Sequence, residues 1–363
     1  MQPNIQKVIK FAVVGCGRIS LNHFQAIQAL DRQAKLVSIC DIDPLALENA
    51  KKITNVDTYL NLEDLLNNSD ADVISLCTPS GLHAQQTIQI AKNKRHIISE
   101  KPMATNWQDG LLMNHECFLN NVQLFVVKQN RFNTTLQQLK KAIVNNRFGK
   151  IFNIAMNVFW TRPQSYYDAA NWRGKLDMDG GALMNQASHY VDLLTWLFGP
   201  IKQVYGICET KARKIEAEDS AVVSLKWSNG PIGTLNVSML TYPSNLEGSL
   251  TIIGENGTVR IGGIAVNEIQ VWQFAKQEEE DNNIKMHNYD TKSVYGHGHH
   301  NYYKNVVNFL NGHETPIISG LEGLKSLEVL AAIYESSNTN KPINLPLNRE
   351  QYDFNLYSSY SSY

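Results

Sequence analysis

From Val8 to Val127, short β-branched runs alternate without a break with segments of helical periodicity, and that alternation constrains the fold more than any other feature. The strands read as Val8–Val14, Lys35–Cys40, Asp72–Cys77, His96–Ser99 and Gln123–Val127. The helices fall near Ile19–Leu30, Pro44–Lys51, Leu62–Asn67, Leu82–Ala91 and Thr105–Leu119. Parallel strands need long crossovers, usually helical, so the pattern predicts a doubly wound parallel sheet covered on both faces.

After Lys128 the pattern changes. One helix, Thr134–Asn145, leads into longer alternating strands at Ile151–Thr161, Gln203–Glu209, Ala221–Trp227, Gly233–Leu240, Gly248–Gly254 and Ile264–Gln273. Two late helices follow at His300–Asn311 and Leu321–Ser337. Strands in succession predict a large, mostly antiparallel sheet half covered by helices, an α+β domain. The expected division is a doubly wound, Rossmann-type domain over 1–128, an α+β domain over 129–350, and a Tyr/Ser-rich tail over 351–363 with no assigned structure. Gln277–Asn283, rich in charge, reads as a loop.

The 363 residues exceed one ordinary core, and two lobes imply a cleft. A net charge of -1 argues against nucleic-acid or anionic-membrane partners. No apolar run reaches the ~18 residues of a membrane span, and the start of the chain does not resemble a signal peptide, so a cytoplasmic location is expected. Cys16, Cys40, Cys77, Cys117 and Cys208 show no CxxC spacing and read as reduced thiols.

The first strand runs into Gly15-Cys16-Gly17-Arg18-Ile19-Ser20. A first glycine permits the tight turn, a second lets backbone approach a pyrophosphate, and a small third residue lets helix pack on strand. Here the third is Ser20. Asp41, at the end of the second strand, suits both ribose hydroxyls of an adenosine and would repel a 2′-phosphate, so NAD is expected over NADP. Thr78-Pro79-Ser80-Gly81-Leu82-His83 follows another strand and is placed to shape the nicotinamide slot, with Ser80 where a helix cap would stand.

Oxidising a carbinol with NAD needs a base or proton shuttle at the reacting carbon. Lys101, in Glu100-Lys101-Pro102 at the end of a strand, points where open α/β sheets bind ligands. His189 is the second candidate, because Asn185, His189 and Asp192 fall on one helical face among apolar residues. His297, His299 and His300 carry the glycine spacing of a loop, and no metal is expected. Arg131, Arg162 and Arg173 bring forks suited to carboxylate and pyrophosphate. Trp160, Tyr166, Tyr167 and Trp172, interleaved with them, suit stacking or packing.

Together the glycine turn, Asp41, Thr78-Pro79 with His83, Glu100-Lys101-Pro102, Trp172-Arg173 and the run from Gly180-Gly181 to His189 and Asp192 resemble the glucose-fructose oxidoreductase, inositol dehydrogenase and MocA family over nearly the whole chain. Within it, Val127–Arg131, Phe159–Asp168, Met184–His189 and Ser293–Gly296 look most like the UDP-N-acetylglucosaminuronate 3-dehydrogenases of bacterial surface-polysaccharide synthesis. The resemblance implies Lys101 and His189 at the reacting carbinol. It implies NAD contacts from Gly15, Gly17, Arg18, Ile19, Asp41, Thr78, Pro79, His83, Glu100, Lys101, Gln129, Trp172 and Arg173. Sugar-nucleotide contacts are implied for Lys101, Arg131, Arg162, Tyr166, Asn185, Gln186 and His189, and so is a homo-oligomer, commonly a tetramer. Many relatives have aspartate at position 185; the neutral Asn185 amide does not repel an anion, which favours an acidic substrate. Three other readings stay open: an NAD-dependent glycoside hydrolase that oxidises C3 transiently, another sugar or inositol dehydrogenase on the same fold, and a non-catalytic NAD sensor.

Overall fold

Strands buried on both faces show no alternation, and that is how the first sheet is written: Phe11 to Val14, Val73 to Leu76 and Ile97 to Ser99 are all buried. The computed structural model describes residues 7–291, 294, 298–315 and 318–347. Ser293, Tyr295, Gly296, His297 and the tail 351–363 lie outside the described residues. The chain divides into two compact units, Met1–Gln129 with His297–Leu324, and Asn130–Gly296 with Lys325–Tyr363.

In the first unit the order is β1 (Ile9–Val14), α1 (Ser20–Gln28), β2 (Ala34–Cys40), α2 (Pro44–Thr54), β3 (Asp57–Tyr59), α3 (Leu62–Asn68), β4 (Val73–Leu76), α4 (His83–Lys92), β5 (His96–Ser99), α5 (Trp107–Leu119) and β6 (Leu124–Val126). All six strands run parallel in the order β3-β2-β1-β4-β5-β6, the dinucleotide-binding arrangement whose strand order reverses beside β1. Three helices start on side-chain caps: Asp43 to the Leu45 amide, Asn61 to Asp64 and Asn106 to Asp109, each worth about 1 kcal/mol. α1 has no side-chain cap. Edge strand β3 escaped the sequence reading because three residues carry too little periodicity.

The second unit holds α6 (Thr134–Val144), β7 (Ile151–Phe159), α7 (Gln164–Asp168), α8 (Ser188–Phe198), β8 (Ile201–Glu209), β9 (Ser220–Trp227), β10 (Ile232–Ser238), β11 (Glu247–Gly254), β12 (Gly257–Gly262) and β13 (Glu268–Phe274). α9 (His299–Leu310) returns to the first unit, α10 (Gly320–Thr339) follows, and β14 (Ile343–Asn344) closes the second sheet. Its order is β13-β12-β11-β7-β10-β9-β8-β14, antiparallel except for the β7–β10 pair. One face buries Ile154, Met156, Val158, Val223, Leu225 and Leu235. Against this sheet lie α8, through Tyr190 at Gly248 and Phe198 on Trp227, and α10, through Ile333 at Gly206.

Two readings are corrected. The strand expected over Ile264–Gln273 begins only at Glu268, and β12 precedes it, because the chain turns between them with Gly263 at φ 79° and Val266 at φ 50°. A β-branched residue in the left-handed region is costly; its carbonyl accepts from Thr135 Oγ1 and its amide donates to Gly248 O. The loop expected over Gln277–Asn283 contains the start of a 3-10 stretch, Glu279–His287, opened by a Glu278/Asp281 capping box and tied to Arg147 through Asp281 at 2.6 Å.

Candidate functional site

Within the first unit the residues expected to hold NAD converge. Gly15 has φ 93°, and a Cβ there would press on the Cys77 carbonyl, so the turn requires glycine. A Cβ on the exposed Gly17 would meet nothing within 4 Å. Asp41 reaches back to this turn: its carboxylate accepts the Cys16 amide at 2.6 Å and the Asp43 amide at 2.9 Å. A glycine cradle, an open approach at Gly17 and Arg18, a helix start with no side-chain cap at Ile19 and an acid at the β2 terminus fit a dinucleotide.

The loops after β4 and β5 are fastened together. His83 is buried, with one ring nitrogen 2.9 Å from Pro102 O and the other 3.0 Å from Thr78 O. It braces the Thr78-Pro79 loop against Glu100-Lys101-Pro102 rather than facing a ligand. Burial depresses its pKa, outweighing the two hydrogen bonds that raise it. Ser80 does not cap α4; it opens a 3-10 turn, Ser80–Leu82, that runs straight into the helix.

Glu100 heads a buried network that the sequence did not reveal. Its Oε1 lies 3.0 Å from His23 Nε2 and 3.6 Å from His299 Nε2. His23 Nδ1 is bonded to the Tyr303 hydroxyl at 2.7 Å, and that hydroxyl to Ser75 Oγ at 2.8 Å. Burial pushes the Glu100 carboxyl up, but the two imidazoles more than offset it and hold it well below the usual carboxylate range. Its Oε2 accepts the Lys101 amide at 3.0 Å, so the network anchors the backbone of the candidate proton shuttle. Histidines 276 residues apart leave no local pattern, and the glycines around His299 disguised its place at the start of α9. His23, Glu100 and His299 are metal-ligating types with ligand atoms within 4.8 Å of one another. Hydrogen bonding already accounts for the His23–Glu100 pair.

In the second unit the expected helical face is broken. Asn185 and Gln186 lie in a π-helical turn, Ala182–Gln186, while His189 and Asp192 belong to α8, which starts at Ser188. Asn185 Nδ2 donates to Asp179 Oδ1, which orients the amide, and Asp179 Oδ2 accepts the Gly174 amide at 2.8 Å. Asp192 forms a two-point ion pair with Arg131, Nε to Oδ2 and Nη2 to Oδ1 both at 2.8 Å, each side chain 2% exposed. Arg131 is thus committed within the fold, where the sequence reading gave it to the substrate alone. Arg162 and Arg173 alternate with aromatic rings: Arg162 lies 5.4 Å from the Trp160 and Tyr166 centroids, Arg173 4.4 Å from Tyr166 and 5.5 Å from Trp172. Gln129, buried, opens the 3-10 turn Gln129–Phe132.

Behind the π turn sits Glu218, whose carboxyl is raised to about 7, chiefly by burial and with a contribution from Asp179, against hydrogen bonds from Leu183 and Tyr334. Asp179, Tyr334 and Cys208 are the titratable groups that face it. A folded value above the unfolded 4.5 contributes stability that is fully present below 4.5 and is lost as pH rises through about 7. The full span corresponds to about 3 kcal/mol. Denaturant midpoints at pH 5.5 and 8.5 should therefore differ less in Glu218→Gln than in the wild type; equal pH slopes would contradict the assignment.

Residues 9–127 match the model described as the oxidoreductase family NAD-binding Rossmann fold, and residues 140–345 that of the same family's C-terminal alpha/beta domain. The chain is 55% identical to the WlbA dehydrogenase of Bordetella pertussis, crystallised with NADH and UDP-GlcNAcA, covering 94% of this chain and 99% of that one at a TM-score of 0.92. It is 51% identical to the Chromobacterium violaceum WlbA dehydrogenase with the same two ligands, covering 95% and 98% at a TM-score of 0.90. The myo-inositol 2-dehydrogenase of Thermotoga maritima is 24% identical over 93% of this chain and 98% of its own.

Proposed function

The chain belongs to the glucose-fructose oxidoreductase, inositol dehydrogenase and MocA family, and on that footing we propose that it oxidises the C3 hydroxyl of UDP-N-acetylglucosaminuronic acid to the 3-keto sugar nucleotide with NAD. The observation that carries this reading is 55% identity, end to end, with a dehydrogenase crystallised with NADH and UDP-GlcNAcA.

Oxidation removes a hydride from C3 and a proton from its oxygen. NAD, when bound, supplies the hydride acceptor. Gly15, Gly17, Arg18, Ile19 and Asp41 hold it, with Thr78, Pro79, Glu100, Gln129, Trp172 and Arg173 completing the set and His83 acting as the brace. Lys101 and His189 orient the hydroxyl and take its proton. Arg162, Tyr166, Asn185 and Gln186 bind the sugar nucleotide. Arg131 serves them through Asp192, which it holds on the helix that carries His189.

We place the enzyme in the cytoplasm, consistent with five free cysteines; among the described residues no helix is long and apolar enough to cross a membrane. Its product fits bacterial surface-polysaccharide synthesis, as the family resemblance implies. The open face of the second sheet exposes Tyr205, Ile207, Val222, Ile232 and Ile253, which favours a homotetramer built through that face. A monomer in light scattering would refute it.

A panel of UDP-hexoses and UDP-hexuronates followed by NADH absorbance tests the activity, and a parallel run with an added keto acid, which reoxidises NADH and is therefore read by formation of the 3-keto product, captures turnover that slow NADH release would mask. UDP-GlcNAcA should be oxidised in preference to its neutral UDP-GlcNAc counterpart, and the nucleotide should stay attached. Release of UDP, or no preference for the uronate, would overturn the proposal.

A further inference from the structure

A helix start leaves its first amides without intrahelical partners. In the π turn Ala182–Gln186 no residue of the turn supplies a cap, yet each of the first three amides is satisfied. Ala182 N donates to Glu218 O at 2.9 Å, Leu183 N to Glu218 Oε1 at 2.7 Å and Met184 N to the Tyr334 hydroxyl at 3.2 Å. The same hydroxyl donates to Glu218 Oε1 at 2.9 Å, so one carboxylate oxygen joins two of the three contacts.

The neighbouring glycines follow from this arrangement. A Cβ on Gly181 would run into the Glu218 carboxylate, and one on Gly180, at φ 72°, into Met184. The turn then carries Asn185 and continues through Ala187 into α8, where Ser188 Oγ donates to Asn185 O at 3.1 Å one residue before His189.

We propose that Glu218, with Tyr334, is the positioning residue of the sugar-nucleotide site: by capping the π turn from behind, it sets where Asn185 and His189 stand. The inference rests on the function proposed above for those two residues. Glu218 acts through the backbone amides of the turn. Because Oε1 is an acceptor in a carboxylate, a carboxylic acid and an amide alike, the cap requires the oxygen and not the charge.

Three variants test it: Glu218→Ala, Glu218→Gln and Tyr334→Phe. Loss of the cap should raise the KM for UDP-GlcNAcA about fivefold to 150-fold in Glu218→Ala, the equivalent of the about 1–3 kcal/mol that an unsatisfied buried donor costs. Glu218→Gln should stay near the wild type, Tyr334→Phe should fall between, and the NAD dissociation constant should not move in any of them. Amide exchange over residues 182–189 gives a readout that needs no substrate: protection should drop in Glu218→Ala and Tyr334→Phe and persist in Glu218→Gln.

Unchanged protection and KM in Tyr334→Phe would overturn the proposal even if Glu218→Ala fails to fold. So would a Glu218→Gln as impaired as Glu218→Ala, or a loss of NAD affinity that tracks the loss for the sugar nucleotide. If wild-type enzyme ignores UDP-GlcNAcA while exchange responds as expected, the proposed substrate fails and the capping role stands.

Discussion

Replacing Lys101 with Met should leave both ligands bound and lower kcat by about 10² or more, the range attributed to a positioned acid or base. Methionine keeps much of the stem and removes the amine, and the backbone is held independently of the side chain, since Glu100 Oε2 accepts the Lys101 amide at 3.0 Å. The loss should therefore appear in turnover rather than in the dissociation constants for NAD or UDP-GlcNAcA, both read by calorimetry. Turnover unchanged in Lys101→Met would remove the amine from the mechanism and leave His189 as the base.

Replacing Arg131 with Ala should cost about 3–5 kcal/mol of folding stability, because it strands the Asp192 carboxylate in a site where both partners are 2% exposed. The sequence suggested a different outcome, a weakened grip on the substrate, since an arginine near a sugar-nucleotide site reads as an anion ligand. The two separate cleanly. A falling denaturant midpoint with a modest change in KM in the surviving enzyme marks the ion pair, whereas full stability with a raised KM marks a substrate contact. An Arg131→Met, Asp192→Leu pair, which removes both charges, should recover much of the stability lost in either single change.

The parts of the fold legible in the sequence were those that repeat. Strand and helix alternation over the first unit yielded the parallel sheet, and the glycine turn with Asp41 yielded its cofactor, because both signals lie within a few dozen residues. What escaped was built from distant partners. Nothing local pairs His23 with Glu100 and His299, or sets Glu218 and Tyr334 behind residues 182–184. The face shared by Asn185 and His189 was read with α-helical spacing, and a π turn shifted it. The ion pair of Arg131 escaped for a related reason: its type announces anion binding, but only the fold shows the protein's own Asp192 against it.

Asp41 carries a structural duty beside the ribose contact proposed for it, since its carboxylate accepts the Cys16 amide of the glycine turn. Re-engineering this enzyme to accept a phosphorylated ribose by exchanging that acid alone would loosen the pyrophosphate cradle in the same stroke. A change of coenzyme therefore calls for a paired redesign in which a new group secures the turn while a cation greets the extra phosphate.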